Sequence, residues 1–191
     1  EHETLFDILR DVIRQQFVIV KIMNEKYLMT HAERLNLIKE AVLYCQKVSG
    51  LGMPSKCYAK ALREPIFFLW ELRNTNKKHE AALYRSRSSL ELVAGQGQLI
   101  YDHAVPFNYL QKELLLLNSV TTENVECILL RHGVACLITK DEDNMLNQSG
   151  LGRKMPDDWD GNDCLARYRA IGIEIIKNPY HKSEQLAGES A

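Results

Sequence analysis

The sequence predicts a mainly α protein, an N-terminal helical bundle followed by a small α+β module, on three observations. Apolar residues recur at three- and four-residue spacing through most of residues 1–95. That rhythm breaks at Gly95-Gln96-Gly97. Beyond the break, two short apolar runs, Gln98 to Tyr101 and Val134 to Ile138, carry strand character among further helical segments. The expected division is therefore 1–95 for the helical region and 96–191 for the module with its C-terminal helix, the two packing closely.

In chain order, Leu5, Ile8, Leu9, Val12, Ile13, Phe17 and Val20 predict an amphipathic helix over Thr4 to Met23. Thr30 followed by Glu33 predicts a capping box opening a second helix through about Val48, ended by Gly50-Leu51-Gly52 and Pro54. Pro65 suits the first turn of a helix carrying Phe68, Leu69 and Leu72. Asn74-Thr75-Asn76 then connects to a helix from about Lys78 to Val93. After the break, helices are expected over about Phe107 to Leu116 and Thr122 to Arg131, the latter capped at its start and stopped by Gly133. Thr139 with Glu142 predicts a capped helix over Lys140 to Asn147. Asp163 caps a last helix through about Ala170.

With 191 residues, 46% hydrophobic and 26% charged, the chain is long and apolar enough to bury a core without staples. Cys45, Cys57, Cys127, Cys136 and Cys164 are odd in number, scattered and free of C-x-x-C spacing. That excludes a disulfide framework or cysteine zinc site and predicts reduced, mostly buried thiols. The apolar run Phe17 to Met23 contains Lys21 and is too short to span a bilayer, and no signal-peptide pattern precedes it. A cytoplasmic protein without membrane contact is the expectation.

Charge is divided unevenly. Residues 1–96 carry 15 basic and 11 acidic side chains, residues 97–191 carry 9 and 14. The positive excess concentrates at Arg73, Lys77, Lys78, Arg85 and Arg87, against Glu80 alone. Such a density suits phosphates, so these five are the expected nucleic-acid contacts.

Tyr101-Asp102-His103-Ala104-Val105-Pro106 reads as a strand ending in an acidic residue, followed by histidine, two apolar residues and proline. This D-H-x-x-P segment, with the strand at Val134 and the helix from Thr139, resembles the HNH, or ββα-metal, nuclease motif. The resemblance covers residues 97–147 and implies a ββα-metal-like module that hydrolyses phosphodiesters with Mg²⁺ or another divalent metal. It implies His103 as the general base, Asp102 and Asp143 as metal ligands, and Asn108 or Asn118 orienting the histidine. The chemistry suits the residue types, because histidine is a base near neutral pH and carboxylates hold hard cations. Two helices separate the halves of the motif, and Asp143 stands where the family carries histidine or asparagine.

Other candidates are excluded. The acidic run from Asp157 lacks a calcium loop's final glutamate, Tyr168 standing there. Neither a phosphate-binding glycine loop nor a nucleophile elbow occurs. His132 reads as a helix C-terminal residue, and His31 and His79 as solvated helix starts. Two functions remain: a nuclease-like or nucleic-acid-binding protein, and a non-enzymatic helical protein acting through a partner or as a homodimer.

Overall fold

The computed structural model describes residues 29–73, 77–92 and 97–182. The chain divides between Arg34 and Leu35 into two units, and of the first only residues 29–34 are described. There Thr30 opens helix α1 (His31–Gly50) through the expected reciprocal cap. The Glu33 carboxylate accepts from the Thr30 backbone N–H at 2.8 Å, and Thr30 Oγ1 accepts from the Glu33 N–H at 3.3 Å. The helix expected over Thr4 to Met23 and the connection Asn74-Thr75-Asn76 lie outside the described residues.

The second unit is α+β, which corrects the mainly α expectation. Its sheet contains β1 (Tyr84–Ser86), β2 (Leu99–His103), β3 (Ala135–Thr139) and β4 (Ile175–Lys177), in the order β2-β3-β1-β4. β2 runs antiparallel to β3, β3 parallel to β1, and β1 antiparallel to β4. A bundle followed by a two-strand, one-helix module is therefore not the architecture: β1 precedes Gly95-Gln96-Gly97, and its partners β3 and β4 follow it.

The helix expected over Lys78 to Val93 is the main local error. Only α3 (Lys78–Ala81) forms there, followed by β1 and a 3-10 turn, Arg87–Glu91. Tyr84 pairs with Cys136 on one side and Lys177 on the other, so sheet pairing overrides a helical pattern rich in serine. A strand of three residues is too short to show its own period.

The remaining helices are α2 (Ser55–Pro65), α4 (Phe107–Leu115), α5 (Thr122–His132), α6 (Lys140–Gln148) and α7 (Ala166–Ala170). Thr121 Oγ1 caps α5 by accepting from the Asn124 N–H, and Thr139 with Glu142 forms a full capping box on α6. One core joins Ile38, Val42 and Cys45 of α1 to Leu62, Leu114 and Leu129. Each fully buried leucine or isoleucine there contributes about 1.5–3 kcal/mol.

The sheet buries both faces. Cys136 and Ile138 pack with Ala104, Leu146, Tyr168 and Ile173, whereas Ala135 and Leu137 pack with Ala82 and Tyr101. This alternation along β3 follows from the two-residue period of a strand and sets which way each residue of β2 points. All five thiols are free; Cys45 and Cys136 are buried, Cys164 is partly buried, and Cys57 and Cys127 are exposed. Among the described residues, no helix is long and apolar enough to cross a membrane.

Candidate functional site

The site begins where α2 ends. Pro65 is its last residue, not the start of a new helix as expected, and the chain continues into a π-helical turn, Ile66–Trp70. The Glu71 N–H donates to Ile66 O at 3.0 Å, the wide spacing of a π turn. Leu72 then adopts φ +52°, the left-handed region that leucine enters at a cost of about 1–2 kcal/mol. This reversal lets the Arg73 N–H donate back to Phe67 O at 3.2 Å. Strained turns of this kind persist where surrounding contacts hold them, and they concentrate at functional sites.

The turn is also tied to the start of β3. Trp70 Nε1 donates to Gly133 O at 3.1 Å. A Cβ at Gly133 would lie 2.7 Å from Leu129 O and 2.9 Å from Trp70 Nε1, so this close approach admits only glycine.

Strand β2 presents Tyr101 and His103 to this turn. Glu71, buried beneath them, is the hub. Its Oε1 lies 2.7 Å from His103 Nε2, and its Oε2 accepts from Arg73 Nε at 2.6 Å and from Tyr101 OH at 2.8 Å. The Arg73 guanidinium lies over two rings, 3.8 Å from the centroid of Phe67 and 4.2 Å from that of Tyr101. Phe67 also stacks on the His103 ring at 5.0 Å. Burial, reinforced by the Glu71 charge, pushes the Tyr101 phenol well above its ordinary range, so it stays a donor.

These contacts decide the histidine tautomer. Nε2 lies 3.3 Å from Arg73 Nη2 as well as 2.7 Å from Glu71 Oε1. Arginine offers only donors and an ionised carboxylate only acceptors, so Nε2 carries the proton and gives it to Glu71. The 3.3 Å approach is then a charge contact rather than a hydrogen bond. In the neutral ring Nδ1 then carries the lone pair; it has no partner among the described residues, and the side chain keeps 14% of its surface exposed. A carboxylate that fixes a histidine with one nitrogen free is the arrangement of a general base.

Asp102 points the other way. Its Oδ2 accepts from Arg167 Nη2 at 2.5 Å and from Tyr168 OH at 2.8 Å. Burial pushes this carboxyl above the ordinary carboxylate range, and Arg167, Tyr168 and His103 oppose the shift. Behind it, burial drives the Cys136 thiol up as well, with Asp102 and Glu142 adding to the effect, so this cysteine is no nucleophile.

The expected base and its neighbouring metal ligand are therefore split by the strand. Asp102 and His103 are consecutive and face opposite sides of the sheet, and the carboxylates beside them already meet Arg167 and Arg73. Asp143 lies on α6, where its Oδ2 accepts from Asn147 Nδ2 at 3.2 Å. Its helix is capped by Thr139, which pairs across from Leu99, four residues and about 13 Å along the strand from His103. Among the described residues, no three His, Cys, Asp or Glu side chains are grouped as metal ligands. Asp102 Oδ2 and Glu71 Oε2 are already engaged by the guanidinium groups of Arg167 and Arg73. Asn108 on α4 and Asn118 beyond it are exposed, and the group that orients His103 is Glu71.

The five basic residues are not one solvated helix face. Arg73 belongs to the site, and Arg85 is 3% exposed, with its guanidinium bonded to Ser89. Lys77 is exposed, Arg87 is exposed and paired with Glu174 at 2.7 Å, and the Lys78 side chain lies outside the described residues. The reason is β1, which turns Arg85 inward. Sequence reasoning missed Glu71, Tyr101 and Arg167; only their charge or hydroxyl marked them, because their partners are remote in the chain. No protein-family model, curated protein or solved structure matches the chain.

Proposed function

We propose that Glu71 and His103 form the acid–base centre of a phosphodiester hydrolase, with Arg73 meeting the phosphoryl charge. The observation that carries this reading is the 2.7 Å contact between Glu71 Oε1 and His103 Nε2, with no partner for Nδ1 among the described residues. The water proton passes to Nδ1 as the water oxygen forms its bond to phosphorus. The phosphorus–oxygen bond to the leaving group then breaks, and the imidazolium returns its proton to that oxygen. Glu71 stabilises the transient imidazolium, and Arg73 supplies positive charge to the phosphoryl oxygens. The D-H-x-x-P resemblance supports a nucleic-acid substrate, and no metal enters any step.

The test is turnover of bis-p-nitrophenyl phosphate, DNA and RNA, single- and double-stranded, each with EDTA and with Mg²⁺. Turnover that survives EDTA and falls about a hundredfold or more in His103→Ala is the expected result. Folded protein that cleaves none of these in either arm removes the reading, and cleavage seen only with Mg²⁺ removes its metal-free chemistry.

A second reading rests on α1. Leu37 and Tyr44, 45% and 51% exposed, lie seven residues apart on one helix face, and Leu51, 79% exposed, lies in the turn just past the helix end. An apolar stripe of this kind favours association with a second copy of the chain. Light scattering of wild type against Leu37→Glu/Tyr44→Glu separates a dimer lost in the variant from a monomer in both.

A further inference from the structure

Arg167 is almost wholly enclosed, at 1% exposure, and every one of its donors is used. Nε donates to Ala104 O at 3.0 Å, and Nη2 donates to His103 O at 2.5 Å and to Asp102 Oδ2 at 2.5 Å. Nη1 donates to Leu151 O at 2.8 Å and to Gly152 O at 3.4 Å. Five donors thus meet five acceptors, the full capacity of a guanidinium. Two of those acceptors are the consecutive carbonyls at the end of β2.

That end needs holding. His103 is the last residue of the strand, and the Ala104 N–H to Val134 O bond, 2.8 Å, is the last tie to the neighbouring chain. Pro106, which has no N–H, begins the turn into α4. A strand end with free carbonyls frays, and fraying here would swing the His103 ring away from Glu71. The guanidinium fixes these carbonyls from the face of the sheet opposite the ring. Tyr168, the next residue on α7, braces the same Asp102 oxygen at 2.8 Å.

We infer that Arg167 is the positioning residue of the acid–base centre: by holding the His103 and Ala104 carbonyls it fixes the ring that Glu71 engages. This role rests on the hydrolase reading, and its test separates the two. The Asp102 ion pair is secondary, because it stabilises Arg167 rather than the strand end. A lysine at 167 keeps the charge beside Asp102 but lacks the planar fork that reaches two adjacent carbonyls together.

The experiment compares wild type, Arg167→Lys and Asp102→Asn in the intact chain by thermal midpoint, bis-p-nitrophenyl phosphate turnover and the nitrogen-15 tautomer pattern of the His103 ring. In wild type the ring is expected as the Nε2–H tautomer. In folded Arg167→Lys the pattern is expected to average between tautomers, with turnover down about tenfold to a hundredfold, the scale of a displaced catalytic group. Asp102→Asn keeps the carbonyl contacts and is expected to retain the wild-type pattern.

Folded Arg167→Lys with unchanged ring pattern and turnover overturns the inference. So does loss of the pattern in both variants in proportion to their fall in thermal midpoint, which would mark a purely structural role. If Arg167→Lys does not fold, Asp102→Asn decides: a retained pattern supports the inference and a lost one overturns it. Wild type that shows the pattern and its dependence on Arg167, yet hydrolyses no phosphodiester, removes the reaction and leaves the positioning role standing.

Discussion

Asp102 and His103 sit side by side on β2, yet they meet different parts of the protein. On the Asp102 face, Asp102 Oδ2 and four backbone carbonyls close around the buried Arg167 guanidinium, with Tyr168 on the same oxygen, against the sheet core. On the His103 face, Glu71 gathers three donors but leaves one imidazole nitrogen without a partner among the described residues. Both faces pair a carboxylate with an arginine, so charge content alone does not separate them. What separates them is the group at the centre: Arg167 spends every donor and so rigidifies its cluster, whereas the His103 ring keeps a nitrogen without a partner among the described residues, available for chemistry.

The largest effect should come from breaking the closed face. Arg167→Met leaves the Asp102 carboxylate with Tyr168 alone and strips donors from four carbonyls, so a loss of about 3–5 kcal/mol in urea unfolding is expected. A loss below about 1 kcal/mol would mean that the cluster is not closed as described. On the open face, His103→Gln should cost only about 1 kcal/mol, because Glu71 keeps Arg73 and Tyr101 as donors. Equal costs for the two substitutions would erase the contrast.

A pH measurement sharpens the comparison at a third place. His132 is 1% exposed at the end of α5, and its Nε2 lies 3.1 Å from Glu113 Oε2 but off the line of a hydrogen bond. Burial holds this imidazole below its ordinary value of 6.5, Glu113 opposes the shift and Arg131 adds to it. The folded state thus prefers the neutral ring, contributing stability that is present above about 6.5 and lost as pH falls through the lower folded value. Unfolding midpoints followed downward from neutral pH should fall more in wild type than in His132→Gln. Parallel curves would show that the ring does not titrate with folding.

The smallest effect belongs to the surface. Arg87 and Glu174 form a pair in which both side chains are well exposed, so Arg87→Ala should change stability by no more than about 0.5 kcal/mol. Arg85→Ala, two residues away, should cost more, since it strips a buried guanidinium from Ser89. A similar cost at both positions would contradict the inward turn of β1.

Local signals were legible where the physics is local. The reciprocal caps at Thr30 and Thr139, the Thr121 cap and the stop at Gly133 each depend on residues within a single turn, and all are present. The two longest strands were also visible as apolar runs, and β2 continues two residues past its run, taking Asp102 and His103 into the sheet. That extension matters, because strand geometry sends the two side chains to opposite faces, whereas a turn would not have.

The sequence by itself determined the helix caps, the apolar faces and the singling out of His103 beside Asp102, because each depends on neighbours within a few positions. The tertiary structure alone decided the α+β class, since β1 and β4 are three residues each and exist only through their pairing. It alone decided the partners too. Glu71 meets His103 across 32 positions, and Arg167 meets the same residue across 64. A contact between distant residues is set by how the sheet and helices pack, and no period or spacing along one chain encodes which carboxylate will lie beneath which histidine.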